Sequence, residues 1–140
     1  MKGSHRDESL RWLTQAQDEF DDAEGLRRIG RFYLALFHYQ QAAEKALKAY
    51  LYLMVGSREV FTTHSLEELL AMVREIAPEF KEVMAARALD RYSISTRYPD
   101  ALPGKIPSRY FRDPQEAEKA MLLSKVVVDL ATRMIGEGAP

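Results

Sequence analysis

The sequence FHYQQAAEKALKAYL, residues 37–51, predicts an α-helix in the interior of a helical bundle. Small alanines lie beside its apolar stripe, so neighbouring helices can approach it closely. The polar residues of the stretch, Gln40, Gln41, Glu44, Lys45 and Lys48, are most simply interpreted as a solvated helix face. The apolar stripe, which begins one residue earlier and ends three residues later, consists of Leu36, Tyr39, Ala43, Leu47, Tyr50 and Met54.

Another long helix precedes this one and is predicted to pack against it. Apolar residues recur at helical spacing over residues 7–29, and Gly30 then marks a tight turn into a helix over residues 31–55. Two long helices joined by so short a connection must run antiparallel. Gly56 is predicted to end the inner helix.

Three further helices are predicted in the second half of the chain. Ser65 and Glu68 have the spacing of a capping box at the start of a third helix, and a fourth is predicted over residues 78–93. The stretch ISTRYPDALPGKIPSRYFR, residues 94–112, contains three prolines and is predicted to be irregular. An N-capping aspartate then begins a last helix over residues 113–136.

These elements predict one domain over residues 1–140, with ends that fray at about 1–6 and 136–140. The sequence shows no strand-like alternation, internal repeat or low-complexity tract. The predicted fold class is therefore all-α. We expect an up-and-down bundle of about five helices, with a long irregular segment before the last one.

Composition excludes several kinds of site. The 140 residues contain no cysteine, which excludes disulfides, thiolate metal sites and cysteine nucleophiles. The three histidines are scattered and no glycine-rich phosphate loop occurs, so no metal site and no cofactor are predicted. There is no apolar run of about 18 residues and no apolar N-terminal segment, so we expect a cytoplasmic protein without a membrane span.

Charge is unevenly distributed along the chain, although the net charge is only −1. Residues 1–25 carry three basic and seven acidic side chains, for a local charge of −4. Residues 87–112 carry six basic and two acidic side chains, for a local charge of +4. The second region is therefore the one predicted to face an anionic ligand.

Candidate ligand-binding residues lie in this positive region. Arg91, Arg97, Tyr98 and Asp100 surround the proline-rich turn, where arginine suits a phosphate and tyrosine can stack on a base. In the structural alternative, Arg97 bonds backbone carbonyls or Asp100 and fixes the turn. The two interpretations stay open at the level of sequence, because arginine and tyrosine also suit a protein interface.

His64 is the candidate catalytic residue, together with Arg97. It precedes the predicted third helix, whose N-terminal amides and positive dipole end favour an anion. In the structural alternative, His64 caps that helix or packs beside it. Lys45 and Lys48 of the inner helix are predicted to extend the positive surface toward the same place.

The order of several motifs resembles the HEPN family of small helical domains. These are a first helix that begins near Trp12, then QQAAEKALKAYL (40–51), THSLEELL (63–70), STRYPD (95–100) and a long C-terminal helix. The resemblance implies a homodimeric up-and-down bundle. It also implies several possible functions. Many relatives are paired with a minimal nucleotidyltransferase as toxin and antitoxin, and others are metal-independent ribonucleases. The family was named for nucleotide binding.

The ribonuclease relatives carry an arginine followed, after four to six residues, by a histidine. A histidine there moves the proton of a ribose 2′-hydroxyl, and an arginine holds the phosphate. The spacing occurs twice here, in Arg31 with His38 and in Arg58 with His64. Chance alone is expected to produce it about once in a chain of this composition, so the spacing is weak evidence by itself. In those relatives the motif lies late in the domain, where this chain has no histidine. His38 is predicted to be a core or interface residue.

The sequence supports three functional hypotheses. The leading one is a HEPN homodimer that binds a nucleotide, RNA or a minimal nucleotidyltransferase partner through His64 and the Arg97 region. The second is a metal-independent endoribonuclease toxin, with His64 as proton-transfer residue and Arg97, Arg91 or Arg58 as phosphate binder. The third is a purely structural interaction module, in which aromatic residues such as Trp12 mediate assembly.

Overall fold

Helix α2 (Phe32–Val55) is the central element, because its residues are buried on all sides over much of its length. The computed structural model describes residues 2–138. Every residue from 46 to 52 is buried, which covers the whole circumference of the helix. The long helices α1 (Lys2–Arg28) and α6 (Pro114–Gly138) pack against it. The interior bundle helix predicted from residues 37–51 is therefore confirmed.

The remaining elements are shorter and complete an all-α fold. Helix α3 (Leu66–Ile76) is followed by a long 3₁₀-helix (Pro78–Arg91) and by two single-turn helices, α4 (Tyr92–Ser95) and α5 (Pro107–Tyr110). The described residues contain no strand, and the predicted fold class is confirmed. The single-turn helices and two short 3₁₀-helices (Arg58–Phe61 and Pro99–Ala101) are additional to the five helices expected.

The turn between α1 and α2 forms as predicted. Gly30 adopts a positive φ of 79°, and the next residue, Arg31, donates its backbone N–H to the carbonyl of Leu26 at 2.9 Å. The two helices then run antiparallel. The hydroxyl of Ser9, near the start of α1, donates to the carbonyl of Ala49, late in α2, at 2.7 Å.

The outer ends of the chain are helical over more residues than predicted. Helix α1 begins at Lys2, and α6 continues past Gly136 to Gly138. The predicted fraying of residues 1–6 and 136–140 falls partly on 1, 139 and 140, which lie outside the described residues, and stays a prediction.

The fourth helix is a 3₁₀-helix, whereas the sequence predicted an α-helix there. Its buried residues recur at every third position, and a 3₁₀-helix has about three residues per turn, so they form one straight stripe. In an α-helix the same stripe would rotate by about 60° at each step and leave the core. The stripe consists of Ala77, Phe80, Val83, Ala86, Leu89 and Tyr92, all at most 6% exposed.

The period-three stripe can be tested with a matched pair of substitutions. Ala86 is fully buried in the stripe, whereas Ala88, two residues later in the same element, is exposed. Ala86→Glu should lower the free energy of unfolding by about 3 kcal/mol or more, because it buries an unpaired carboxylate. Ala88→Glu should change it by about 0.5 kcal/mol or less. Urea unfolding followed by circular dichroism measures both, and the opposite order of effects would restore the α-helical prediction.

Candidate functional site

Two charged residues of α2 are buried, Glu44 at 3% and Lys48 at 1% exposure. The Lys48 ammonium lies 2.8 Å from Glu44 Oε2 and donates to the carbonyl of Phe61 at 3.2 Å. Gln40, also buried, donates to Glu44 Oε1 at 3.2 Å. The prediction of a solvated face is therefore wrong for these three residues of α2. Because Lys48 is enclosed, it does not extend an exposed positive surface.

His64 is the exposed end of this buried cluster. Its Nδ1 lies 3.2 Å from Glu44 Oε2, and 74% of its side chain is exposed. A carboxylate only accepts hydrogen bonds, so Nδ1 is the nitrogen that carries a proton toward Glu44. In the neutral form of the imidazole, Nε2 would then hold the free lone pair. A carboxylate that fixes the imidazole tautomer in this way prepares a histidine for proton transfer.

The N-terminus of α3, next to His64, is already filled by the protein itself. The Asp90 carboxylate accepts hydrogen bonds from the backbone N–H of Leu66 at 2.8 Å and of Glu67 at 3.1 Å. Ser65 acts as the N-cap, as predicted, and accepts from the backbone N–H of the third helical residue at 3.2 Å. The expectation that this helix end receives an external anion is therefore wrong, because Asp90 takes that place.

Arg97 is exposed, but its guanidinium is held in one orientation. Its Nε and Nη2 donate to the carbonyl of Ser93 at 2.9 and 2.6 Å. The guanidinium carbon lies 4.4 Å from the ring centroid of Phe37 on α2 and 5.0 Å from that of Tyr98. Its Nη1 has no hydrogen-bond partner among the described residues. Arg97 therefore forms the hydrogen bond to a backbone carbonyl that the structural alternative predicted. It is also exposed and keeps donors that are not used within the described residues.

The two neighbours of Arg97 in the proline turn are open to solvent. Tyr98 is 49% exposed. Asp100 is exposed and forms no ion pair with Arg97 or with any other described residue. Both side chains are therefore available to a ligand beside Arg97.

Arg91 lies at a different opening in the surface. It lines a cavity of about 400 Å³ between the long 3₁₀-helix and the start of α6, together with Gln115 and Lys119. The hydroxyl of Tyr92 donates to Glu116 at 2.7 Å beside this cavity, and burial together with that hydrogen bond raises the pKa of Tyr92. Neither His64 nor Arg97 lines the same cavity.

Lys45 lies where α1 and α2 meet, and its charge is compensated there. Its ammonium is 2.6 Å from Glu19 Oε2 and donates to Gln41 at 3.1 Å. His38 Nδ1 lies 3.7 Å from Glu19 Oε1, and the His38 side chain is half-buried. Burial raises the pKa of Glu19, but the contacts with His38 and Lys45 outweigh it, and the pKa lies below its usual value of 4.5.

His64 and Arg97 both contact residues on one side of helix α2. His64 binds Glu44, and Arg97 stacks on Phe37, which lies seven residues earlier in α2. Positions seven residues apart lie on the same side of an α-helix, about 10 Å apart along its axis. The contacts of the predicted pair are therefore two turns apart on α2, whereas Lys48 is buried.

The basic side chains of residues 87–112 are exposed and uncompensated. None of them forms an ion pair within the described part of the chain, because the ion pairs lie in other regions. Of the two carboxylates in the region, Asp90 caps α3. The six uncompensated residues are Arg87, Arg91, Arg97, Lys105, Arg109 and Arg112.

Two residues of this site were not predicted as functional. The sequence assigned Glu44 to a solvated helix face, and its contact with His64 spans twenty residues of chain that no local pattern predicts. Nothing in the sequence marks Phe37 as part of the site, since an aromatic residue at helical spacing usually belongs to a core.

Within residues 2–138, no side-chain group is arranged to hold a metal ion, and no helix has the length and apolarity needed to cross a membrane.

Comparison with known proteins identifies the family. The sequence profile of the HEPN domain matches residues 9–134. The chain belongs to the HEPN family. Among solved structures, TT1696 from Thermus thermophilus is 37% identical, with a TM-score of 0.77 over 89% of this chain and 96% of that one.

A second solved structure shares the HEPN fold at lower identity. The archaeal HEPN homologue ST0689 is 23% identical, with a TM-score of 0.71 over 91% of this chain and 97% of its own. No curated protein matches the sequence. The resemblance seen in residues 40–51, 63–70 and 95–100 is thereby confirmed at the level of family and fold.

Because Glu44 and Lys48 are buried together, we expect substitutions of these two residues to have strongly non-additive effects on the free energy of unfolding. Glu44→Leu should lower the free energy of unfolding by about 3–5 kcal/mol, because it leaves the Lys48 ammonium buried without its partner. Adding Lys48→Met to that variant should restore part of the loss, since no charge then remains buried, although Gln40 and the Phe61 carbonyl still lack the partners they had. Urea unfolding of the single and double variants checks this. A double variant as unstable as the sum of the two single variants would contradict it.

Proposed function

We propose that this HEPN-domain protein is a homodimer that binds RNA or a nucleotide and acts as the partner of a minimal nucleotidyltransferase, in a toxin–antitoxin-like pair. Membership of the family supports the proposal, and so does the excess of exposed, uncompensated cations in residues 87–112. Such cations favour a polyanion, because binding releases the counterions of its phosphates.

The observation that carries the proposal is the orientation of Arg97. A guanidinium stacked on an aromatic ring and fixed by a backbone carbonyl loses little side-chain entropy when it binds a phosphate. Its free donors lie beside the exposed ring of Tyr98, which suits stacking on a base. A positive side chain next to an exposed aromatic ring is the usual composition of a site for single-stranded nucleic acid.

Binding can be measured with labelled ATP and short RNAs at two salt concentrations. RNA affinity should fall as salt rises, and the double variant Arg91→Ala with Arg97→Ala should weaken binding about tenfold or more and reduce the slope against log salt by about two. The control removes two exposed basic residues of α6, Lys125 and Arg133, each of which pairs with a carboxylate four residues later.

The control variant should bind nearly as well as the unmodified protein. Equal losses in the two double variants would show a general charge effect and would remove the Arg97 region from the proposal. Absence of salt-sensitive binding to either ligand would leave only the nucleotidyltransferase partner or a purely structural interaction module.

A second candidate function, metal-independent endoribonuclease activity, is favoured by the contact between His64 and Glu44. The carboxylate leaves Nε2 of His64 as a proton acceptor at the surface, and His64 and Arg97 both contact one side of α2. Nε2 would take the proton of a ribose 2′-hydroxyl, whose oxygen attacks the neighbouring phosphorus. The bond from phosphorus to the 5′-oxygen of the next nucleotide then breaks, and that oxygen takes a proton from water and leaves as a hydroxyl. Arg97 would then stabilise the negative charge that develops on the phosphate.

This candidate predicts RNA cleavage that persists in EDTA. His64→Ala should lower the rate by about 10²-fold or more, because a positioned acid–base group contributes that much. Because His64 is exposed, the variant should remain folded, and circular dichroism checks this. A lower rate would then reflect the loss of the imidazole. Cleavage at an unchanged rate in the variant would remove His64 from the mechanism.

A further inference from the structure

A five-residue pattern occurs twice in the positive region, as ISTRY (94–98) and as IPSRY (106–110). Both copies have isoleucine at the first position, arginine at the fourth and tyrosine at the fifth. Repeats that build a fold have periods of about 20–50 residues, so this pattern is far too short to be one of them. It instead places the same three side chains twice within one segment.

Both copies fold into the same turn. In each, the carbonyl of the isoleucine accepts hydrogen bonds from the backbone N–H groups of the arginine and the tyrosine. The distances are 3.0 and 3.2 Å in the first turn (94–98), and 2.9 and 2.8 Å in the second turn (106–110). Residues four apart in a helical turn are neighbours on one side, so each isoleucine and tyrosine form an apolar strip next to an arginine.

The repeated side chains are exposed to nearly the same extent in the two turns. Ile94 and Ile106 are 57% and 54% exposed, and Tyr98 and Tyr110 are 49% and 52% exposed. No other large apolar side chain of residues 77–121 is exposed. Both arginines are exposed and form no ion pair within residues 2–138. The fold therefore leaves the same apolar strip and the same guanidinium open to solvent twice.

The two turns have separate anchors in the bundle. The first is held by Thr96, which is buried and donates to the carbonyl of Tyr92 at 2.6 Å. The second is held by Pro107 and Phe111, which are both buried. Helices α4 and α5, to which the turns belong, each pack against α2 more than against each other. The apolar surface is thus divided between two turns that contribute two side chains each.

We infer that each turn is a nucleotide-binding unit, and that the second turn, with Arg109 and Tyr110, is a further RNA-binding site of this protein. In each unit the guanidinium binds a phosphate, and the tyrosine ring stacks on a base beside the isoleucine. A single strand repeats its phosphate and base at every nucleotide, so a duplicated unit suits it. A protein partner generally requires a larger surface, of about 800 Å².

The inference rests on the proposed function and adds contact residues to it. The two units should differ in strength, because the Arg97 guanidinium is fixed by the carbonyl of Ser93, whereas Arg109 has no such bond within the described residues. Arg109 therefore loses more side-chain entropy on binding a phosphate, and the second turn should contribute less affinity than the first.

Substitutions in the second turn test the inference. The probe is a labelled oligouridylate of about twelve nucleotides, methylated at the 2′-oxygen so that it is not cleaved, and fluorescence anisotropy at several salt concentrations measures its binding. Arg109→Ala should weaken binding about threefold or more and reduce the slope against log salt by about one. Tyr110→Ala should weaken binding about fivefold or more at an unchanged slope, because stacking involves no charge. Tyr110→Phe keeps the ring and should bind as the unmodified protein does.

Two exposed residues outside the segment serve as controls. Arg74 on α3 is exposed and forms no ion pair within the described residues, and Leu122 on α6 is as exposed as Tyr110, at 52%. Arg74→Ala and Leu122→Ala should leave the affinity nearly unchanged. Circular dichroism shows that each variant is folded, and sedimentation velocity gives its oligomeric state.

Three outcomes would overturn the inference while the proposed function stands. The first is unchanged RNA affinity in Arg109→Ala and Tyr110→Ala, and the second is an equal loss in the two control variants. The third is a change of oligomeric state in Tyr110→Ala, because the second turn would then be a contact between protein chains. Absence of RNA binding by the unmodified protein would instead contradict RNA binding in the proposed function, and this inference with it.

Discussion

The structure depends on one buried ion pair in its central helix. Glu44 and Lys48 lie where α2 is enclosed on all sides, and two charges persist there only if their remaining hydrogen-bonding groups are satisfied. The partners come from outside the helix: Lys48 bonds the carbonyl of Phe61, and Glu44 bonds His64. The pair therefore fixes the path of residues 61–64 across the bundle. His64 is placed at the surface by an electrostatic requirement of the core.

A second constraint, the period-three stripe, fixes the other side of the site. Because residues 77–92 bury every third side chain, the chain advances further per residue than an α-helix would. Asp90 then reaches the N-terminus of α3, and Tyr92 reaches Glu116 on α6. These two anchors bring the following residues, including Arg97, to the N-terminal half of α2.

Much of the fold was predictable because its signals are local. Helix caps, the glycine turn at Gly30 and the apolar stripe of residues 37–51 each depend on neighbouring residues, and all three are present in the structure. The HEPN motifs indicated the family.

The prediction of the fourth helix was wrong because its local pattern allows two geometries. An apolar residue at every third position fits α and 3₁₀ periods nearly equally over one or two turns, and only the whole run from Ala77 to Tyr92 separates them.

The candidate site was less predictable, because its geometry depends on contacts between distant residues. Lys48 and Arg97 are both basic residues beside aromatic ones, yet one is 1% exposed and the other is open to solvent. What separates them is whether a carboxylate lies within reach in the folded chain. Lys48 has Glu44 one helical turn away, whereas the carboxylate nearest in sequence to Arg97, Asp100, does not pair with it. In residues 87–112 the exposed cations are left without partners among the described residues, so their charge stays open to solvent and to anions.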